Sequence, residues 1–154
     1  MSEPLTFWKL DPEWKWLEST NKLQQETYGY GHLYEDLQRL AADEGTGDTE
    51  FTAALTDYLD WNATAAVQEM AEVREEFSWK PWAKDDPFWH RNRMRDEIID
   101  VMHFLGNMLT VIGVDDEEFA EEYQYKQHIN RQRAASGTYS AKKGGLSEGS
   151  DNVS

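Results

Sequence analysis

The chain has 154 residues, with 15 Lys and Arg against 30 Asp and Glu and a formal net charge of −15. One compact domain fits that length, and the acidic excess works against binding nucleic acid or an anionic membrane, whose phosphates would meet repulsion. With 39% hydrophobic and 13% aromatic residues a core can form and wholesale disorder is excluded, while the absence of cysteine excludes disulfides, thiolate metal sites and Cys nucleophiles.

No apolar run approaches a membrane span, and the first residues, MSEPLTFWKL, lack the apolar core of a signal peptide. The expectation is a soluble cytoplasmic protein, in the host cytoplasm if phage-encoded; the sequence suits a phage or a bacterium equally. Asp11-Pro12-Glu13 reads as a helix start, with the helix running toward Tyr28. After a break at Tyr28–Gly31, Leu33, Leu37 and Leu40 mark a second helix to about Asp43, stopped by Glu44-Gly45-Thr46-Gly47. A third helical region starts near Asp48, with an interruption expected around Trp61-Asn62, and is one helix from Ala63 to Phe77.

Ser78–Asn92 is a loop punctuated by proline and dense in Trp and Lys. Met94, Ile98, Val101, Leu105, Met108 and Ile112 then repeat at helical spacing from Arg93 to Ile112, closed by Gly113. Asp115 with Glu118 forms an acidic capping pattern for a last helix through about Ala134. The fold class is therefore all-α, a helical bundle of four to five helices. Residues 1–140 form the domain and 141–154, rich in Gly, Ser and Lys, form a disordered tail.

Four acids occupy informative positions. Glu69 and Glu72 are three apart, and Glu69 falls between Ala66 and Val73 inside an apolar stripe. Glu97 and Asp100 are likewise three apart, at the edge of the stripe of Met94, Val101 and Leu105. Packing the two helices antiparallel would bring four carboxylates together, an arrangement that needs a cation to neutralise it. Hard oxygen ligands without thiolate favour Mg²⁺, with Mn²⁺ a second candidate. The plain alternative is that these acids, like Glu75, Glu76, Glu117, Glu118, Glu121 and Glu122, sit on solvated faces.

Trp79-Lys80-Pro81-Trp82 between the acid pairs could stack a base and hold phosphate, or cap the end of the bundle. On the last helix Lys126, Asn130 and Arg133 share one face, with Tyr123 a turn earlier; this is either a phosphate clamp or a set of cations suited to a helix C-terminus. His103 reads as a hydrogen-bonded packing residue rather than a metal ligand.

In order along the chain, Glu69-Met70-Ala71-Glu72, Trp79-Lys80-Pro81-Trp82 and Glu97-Ile98-Ile99-Asp100-Val101-Met102-His103-Phe104 resemble the all-α nucleoside triphosphate pyrophosphohydrolases, which include MazG-like enzymes and the dimeric dUTPases and dCTPases. The pattern ExxE, WKxW, ExxDxxHF is most similar to the dimeric dUTPase branch. Leu23-Gln24 resembles its base-contacting pair, and Lys126, Asn130, Arg133, Gly137 and Tyr139 resemble its phosphate-binding stretch, so the likeness spans about Leu23 to Tyr139.

The resemblance implies Mg²⁺-dependent cleavage of a deoxynucleoside triphosphate, dUTP first, to monophosphate and pyrophosphate, by a homodimer. It implies Glu69, Glu72, Glu97 and Asp100 as metal ligands, with Glu69 and Glu72 catalytic and Glu69 as the base. Lys80, Lys126, Asn130 and Arg133 would bind phosphate, and Gln24, Trp79 and Trp82 would bound the base. Two departures fall on elements that close over the substrate. The turn Gly113-Val114 stands where larger relatives insert helices, and Gly137-Thr138-Tyr139 carries an extra residue. A dCTP preference, a broad MazG-like specificity, and a non-enzymatic acidic protein that mimics DNA are the alternatives.

Overall fold

The computed structural model describes residues 11–28, 35–39, 49–84 and 86–137. Four helices stand out: α1 (Trp16–Glu26), α2 (Thr49–Glu75), α3 (Arg91–Val111) and α4 (Asp116–Ala135), with residues 35–39 also helical. Among the described residues there is no strand, only an isolated antiparallel bridge between Phe77 and Trp89. The fold is all-α, as the apolar spacing predicts. The expected break beyond Tyr28, Leu33 and Leu40, the stop at Glu44–Gly47, Thr138, Tyr139 and the tail lie outside the described residues. No single described helix is long and apolar enough to cross a membrane.

The chain divides into two compact units, Met1–Asp116 and Glu117–Ser154. In the first, α2 packs along α3 and α1 packs along α3. Ala66, Val73 and Val101 are buried together, with Phe77, Met94 and Phe104 against them. Leu37, Tyr58 and Val111 form a second cluster with Ala54, Leu55 and Leu59. The pairing of Asn62 with Asn107 and of Phe77 and Met94 with the same cluster runs in opposite senses along the chain. Helices α2 and α3 are therefore antiparallel. The second unit contributes α4, which has no buried residue.

Two element boundaries differ from those the sequence predicts. Asp11-Pro12-Glu13 is a turn and not a helix start: the Asp11 carboxylate accepts from the Glu13 amide at 2.9 Å and its carbonyl accepts from the Trp14 amide at 3.2 Å. The helix begins instead at Trp16, where Lys15 supplies no side-chain cap. A residue far along the chain replaces it. The amides of Leu17 and Glu18 donate to the two carboxylate oxygens of Asp116 at 3.0 and 2.9 Å, which satisfies donors that a helix start otherwise leaves open and places negative charge at the positive end of its dipole.

Helix α2, in turn, is not interrupted at Trp61-Asn62. The Asn62 side chain donates to the carbonyl of Tyr58 one turn back at 2.8 Å and accepts from Asn107, so a fully buried amide is satisfied without breaking the backbone ladder. Helix α3 ends as the sequence predicts. Gly113 adopts φ 87°, its amide donates to Thr110 and that of Val114 to Leu109, both at 3.0 Å, the paired bonds that close a helix through a left-handed residue.

Helix α1 approaches α3 most closely at Gly106, where a Cβ would stand 3.1 Å from Trp16 Nε1 and 3.2 Å from Thr20 Oγ1. Replacing Asp116 by Ala is expected to cost about 1–2 kcal/mol in urea unfolding, the usual loss for an N-cap, with Asp116→Asn losing less. Gly106→Val is expected to cost about 1–3 kcal/mol by overpacking the helix contact. Unchanged midpoints would contradict both assignments.

Candidate metal and nucleotide site

Because α2 and α3 are antiparallel, acids on their facing edges meet. Carboxylate oxygens of Glu69, Glu97 and Asp100 lie within 4.8 Å of one another. Glu72, one turn beyond Glu69, is exposed and takes a hydrogen bond from Gln68 at 3.3 Å. It stays outside the group of three, yet its charge is felt there. The Glu69 carboxyl is raised above its ordinary 4.5, first by burial and then by the charges of Glu72 and Asp100. Glu97 is raised by burial, then by Glu72, Asp100, Glu69 and Glu76.

The nearby cations are engaged elsewhere. Arg93 pairs with Glu76 at 3.0 Å, Arg95 with Asp96 at 2.6 Å, and Arg74 lies 3.7 Å over the Trp79 ring. At the group itself, His103 Nδ1 lies 3.5 Å from Asp100. His103 is 60% exposed at its side chain, where the sequence suggests a packed residue. Three oxygen donors at one point, without thiolate and without a guanidinium or ammonium to answer them, fit a hard divalent cation.

A cavity of about 480 Å³ opens beside the carboxylates, lined among others by Gln24, Trp61, Glu69, Asp100, Phe104 and Asn107. Trp61 and Phe104 meet edge to face, centroids 5.9 Å apart, and wall one side. At the far end Gln24, buried and so oriented, accepts from the Tyr58 hydroxyl at 3.0 Å. Asp100 and Asn107 are seven residues apart on α3, so the two ends are separated by about 10 Å along the helix. The cavity thus joins an anionic end to an aromatic and amide-lined end.

The other residues singled out in the sequence stand elsewhere. Trp79 and Lys80 line a separate cavity of about 560 Å³ with Arg74, Phe77 and Phe88. Arg74 covers a face of Trp79, and the Lys80 ammonium is 5.3 Å from the same ring. Trp82 meets Trp79 edge-on and is 72% exposed. Lys126, Asn130 and Arg133 are exposed on α4 of the second unit. Sequence reasoning missed Trp61, Asn62 and Asn107. Trp61 lies eight residues before Glu69 and Phe104 four after Asp100, spacings that share the acids' helix faces; Asn62 and Asn107 had no signal beyond a polar residue in a helical run.

In the metal-free protein the raised pKa values of Glu69 and Glu97 mean that the folded chain holds protons the unfolded chain releases. That stabilisation is complete below the ordinary value of 4.5 and is lost as pH rises through the raised values. In the presence of a chelator, Glu97→Gln is therefore expected to melt higher than the parent at neutral pH, with the advantage shrinking below about pH 4.5. An equal or lower melting temperature at neutral pH would contradict the crowding of charge.

Compared with known proteins, the chain matches the dUTPase family over residues 36–134, a stretch that holds all four acids and the Trp79–Trp82 segment. No curated protein and no solved structure gives a significant match. With the family matched over well over half of its length and a helical fold to go with it, the chain belongs to the all-α dUTPase family, whose activity is nucleotide pyrophosphohydrolysis.

Proposed function

We propose that the protein hydrolyses dUTP to dUMP and pyrophosphate with Mg²⁺ as its cofactor. The observation that carries this reading is the convergence of Glu69, Glu97 and Asp100 within 4.8 Å, two of them, Glu69 and Asp100, lining a cavity with aromatic walls, in a chain of the dUTPase family. A protein that mimics DNA would spread its acids over an exposed face, whereas these carboxylates are gathered at one point.

Glu69, Glu97 and Asp100 would hold the cation, with Glu72 beside them. When bound, the cation supplies neutralisation of the charge that develops on the phosphate oxygens. Glu69 borders the cavity and is the carboxylate that takes the proton of the attacking water. The water oxygen bonds to the α-phosphorus, the α–β bridging P–O bond breaks, and pyrophosphate leaves. Trp61 and Phe104 hold the nucleoside by stacking and exclude water from around it. Phosphate binding by Lys80, Lys126, Asn130 and Arg133, and contact of Trp79 and Trp82 with the base, remain what the resemblance implies.

A homodimer is part of the proposal. Val67 and Met70 on α2 and Ile98, Ile99, Met102 and Leu105 on α3 are between 37% and 71% exposed, apolar area that a second copy would cover. Sedimentation at micromolar concentration is expected to give twice the chain mass; a monomer would remove this part alone.

The activity is tested by pyrophosphate release. Purified protein with Mg²⁺ is expected to turn over dUTP faster than other deoxynucleoside triphosphates and to stop when the metal is chelated. Asp100→Asn or Glu72→Gln is expected to lower kcat by at least about 100-fold while leaving the metal-free melting temperature equal or higher, since a repelling charge is gone. If a panel of triphosphates yields no pyrophosphate with Mg²⁺ or Mn²⁺, the assignment fails.

A further inference from the structure

The end of the cavity away from the carboxylates carries a hydrogen-bond polarity that cannot reverse. It starts at the carbonyl of Tyr58, which can only accept, so the Asn62 atom 2.8 Å from it is the side-chain nitrogen. The Asn62 oxygen is thereby turned to α3, where it accepts from Asn107 Nδ2 at 2.8 Å. Asn107 must present nitrogen to Asn62 and oxygen elsewhere. Turning over either amide would set oxygen against oxygen inside the protein, for Asn62 is 0% and Asn107 7% exposed.

Asn107 Oδ1 has no partner among the described residues, yet no buried side-chain polar atom among them is left without one. The oxygen therefore reaches open space, and the space that Asn107 borders is the cavity. Gln24, which borders the same cavity, has its Oε1 engaged by the Tyr58 hydroxyl, which leaves Nε2 as a donor. A fixed acceptor beside a donor complements a ring N–H flanked by a carbonyl.

From this geometry we infer that Asn107 reads the base: its locked Oδ1 accepts the N3–H of a uracil ring, and Gln24 Nε2 donates to the adjacent carbonyl. The inference rests on the reading of the cavity as a dUTP site. A free asparagine would distinguish poorly, because it can turn over and offer nitrogen to the bare N3 of cytosine. Asn107 cannot, since Asn62 holds it. Asn62 is thus a positioning residue for specificity, acting through Asn107 without touching the nucleotide. Seven residues separate Asn107 from Asp100, so the base edge would sit about 10 Å along α3 from the carboxylates, with sugar and α-phosphate between.

The test is calorimetric titration of the Mg²⁺-loaded protein with the uncleavable α,β-imido analogues of dUTP, of dCTP and of dUTP methylated at N3. The unmodified uracil analogue is expected to bind at least about 10-fold tighter than either of the others, the cost of leaving one buried acceptor unpaired. Asn62→Ala frees the Asn107 amide and is expected to narrow the uracil-to-cytosine ratio to within about 3-fold, lowering uracil affinity less than it lowers the ratio. Equal binding of the N3-methylated or cytosine analogue by the parent protein, or no binding of the uracil analogue, overturns the inference whether or not the variant folds. A folded Asn62→Ala that keeps the full ratio overturns the role of the lock. Selective uracil binding without pyrophosphate release from dUTP would instead leave base reading intact and sink the hydrolysis.

Discussion

Like-charge repulsion between two helices is the constraint on which this structure turns. Helices α2 and α3 could have met through apolar stripes alone, as they do at Ala66, Val73 and Val101. Instead the same interface carries carboxylate oxygens of Glu69, Glu97 and Asp100 within 4.8 Å of one another, with Glu72 adding its charge to both glutamates. Surrounding arginines are committed to Glu76, Asp96 and Trp79, and so leave the carboxylates uncompensated. Such a group lowers stability unless a cation joins it. An interface built this way is better explained by ligand binding than by folding.

The rest of the first unit fixes what stands beside those acids. Asp116 holds the start of α1 from a distance of about a hundred positions in the chain, and the absence of a side chain at Gly106 lets α1 lie close against α3. Both place Gln24, on α1, at the cavity. The run from the Tyr58 carbonyl through Asn62 to Asn107 then converts a rigid helix pair into a wall with a defined donor and acceptor order. Stability and recognition draw on the same bonds here, because a buried amide network tolerates only one arrangement.

Much of this was legible in the sequence, for identifiable reasons. Residues 66, 69 and 73 share a helix face by period alone, and the two acid pairs follow from spacing of three, so the meeting of α2 and α3 could be anticipated once they were taken as antiparallel. The end of α3 was written in Gly113. What could not be read were features supplied from far along the chain. Asp11-Pro12-Glu13 has the composition of a helix start, but the carboxylate that caps α1 is Asp116, and local propensity holds no trace of it. Trp61-Asn62 looks like a break because asparagine weakens a helix in isolation; only the partner Asn107 makes it an asset. Trp79 is a stacking residue by type, and its exposed face is engaged by Arg74, a contact that depends on how the loop folds back.

Direct calorimetric titration of Mg²⁺ into nucleotide-free protein tests most plainly whether the carboxylates form a cation site. Saturable binding is expected for the parent chain, and its disappearance when Glu69, Glu97 and Asp100 are all changed to their amides. Heats that never saturate, or binding that survives the triple change, would show that the cation is held elsewhere or not at all.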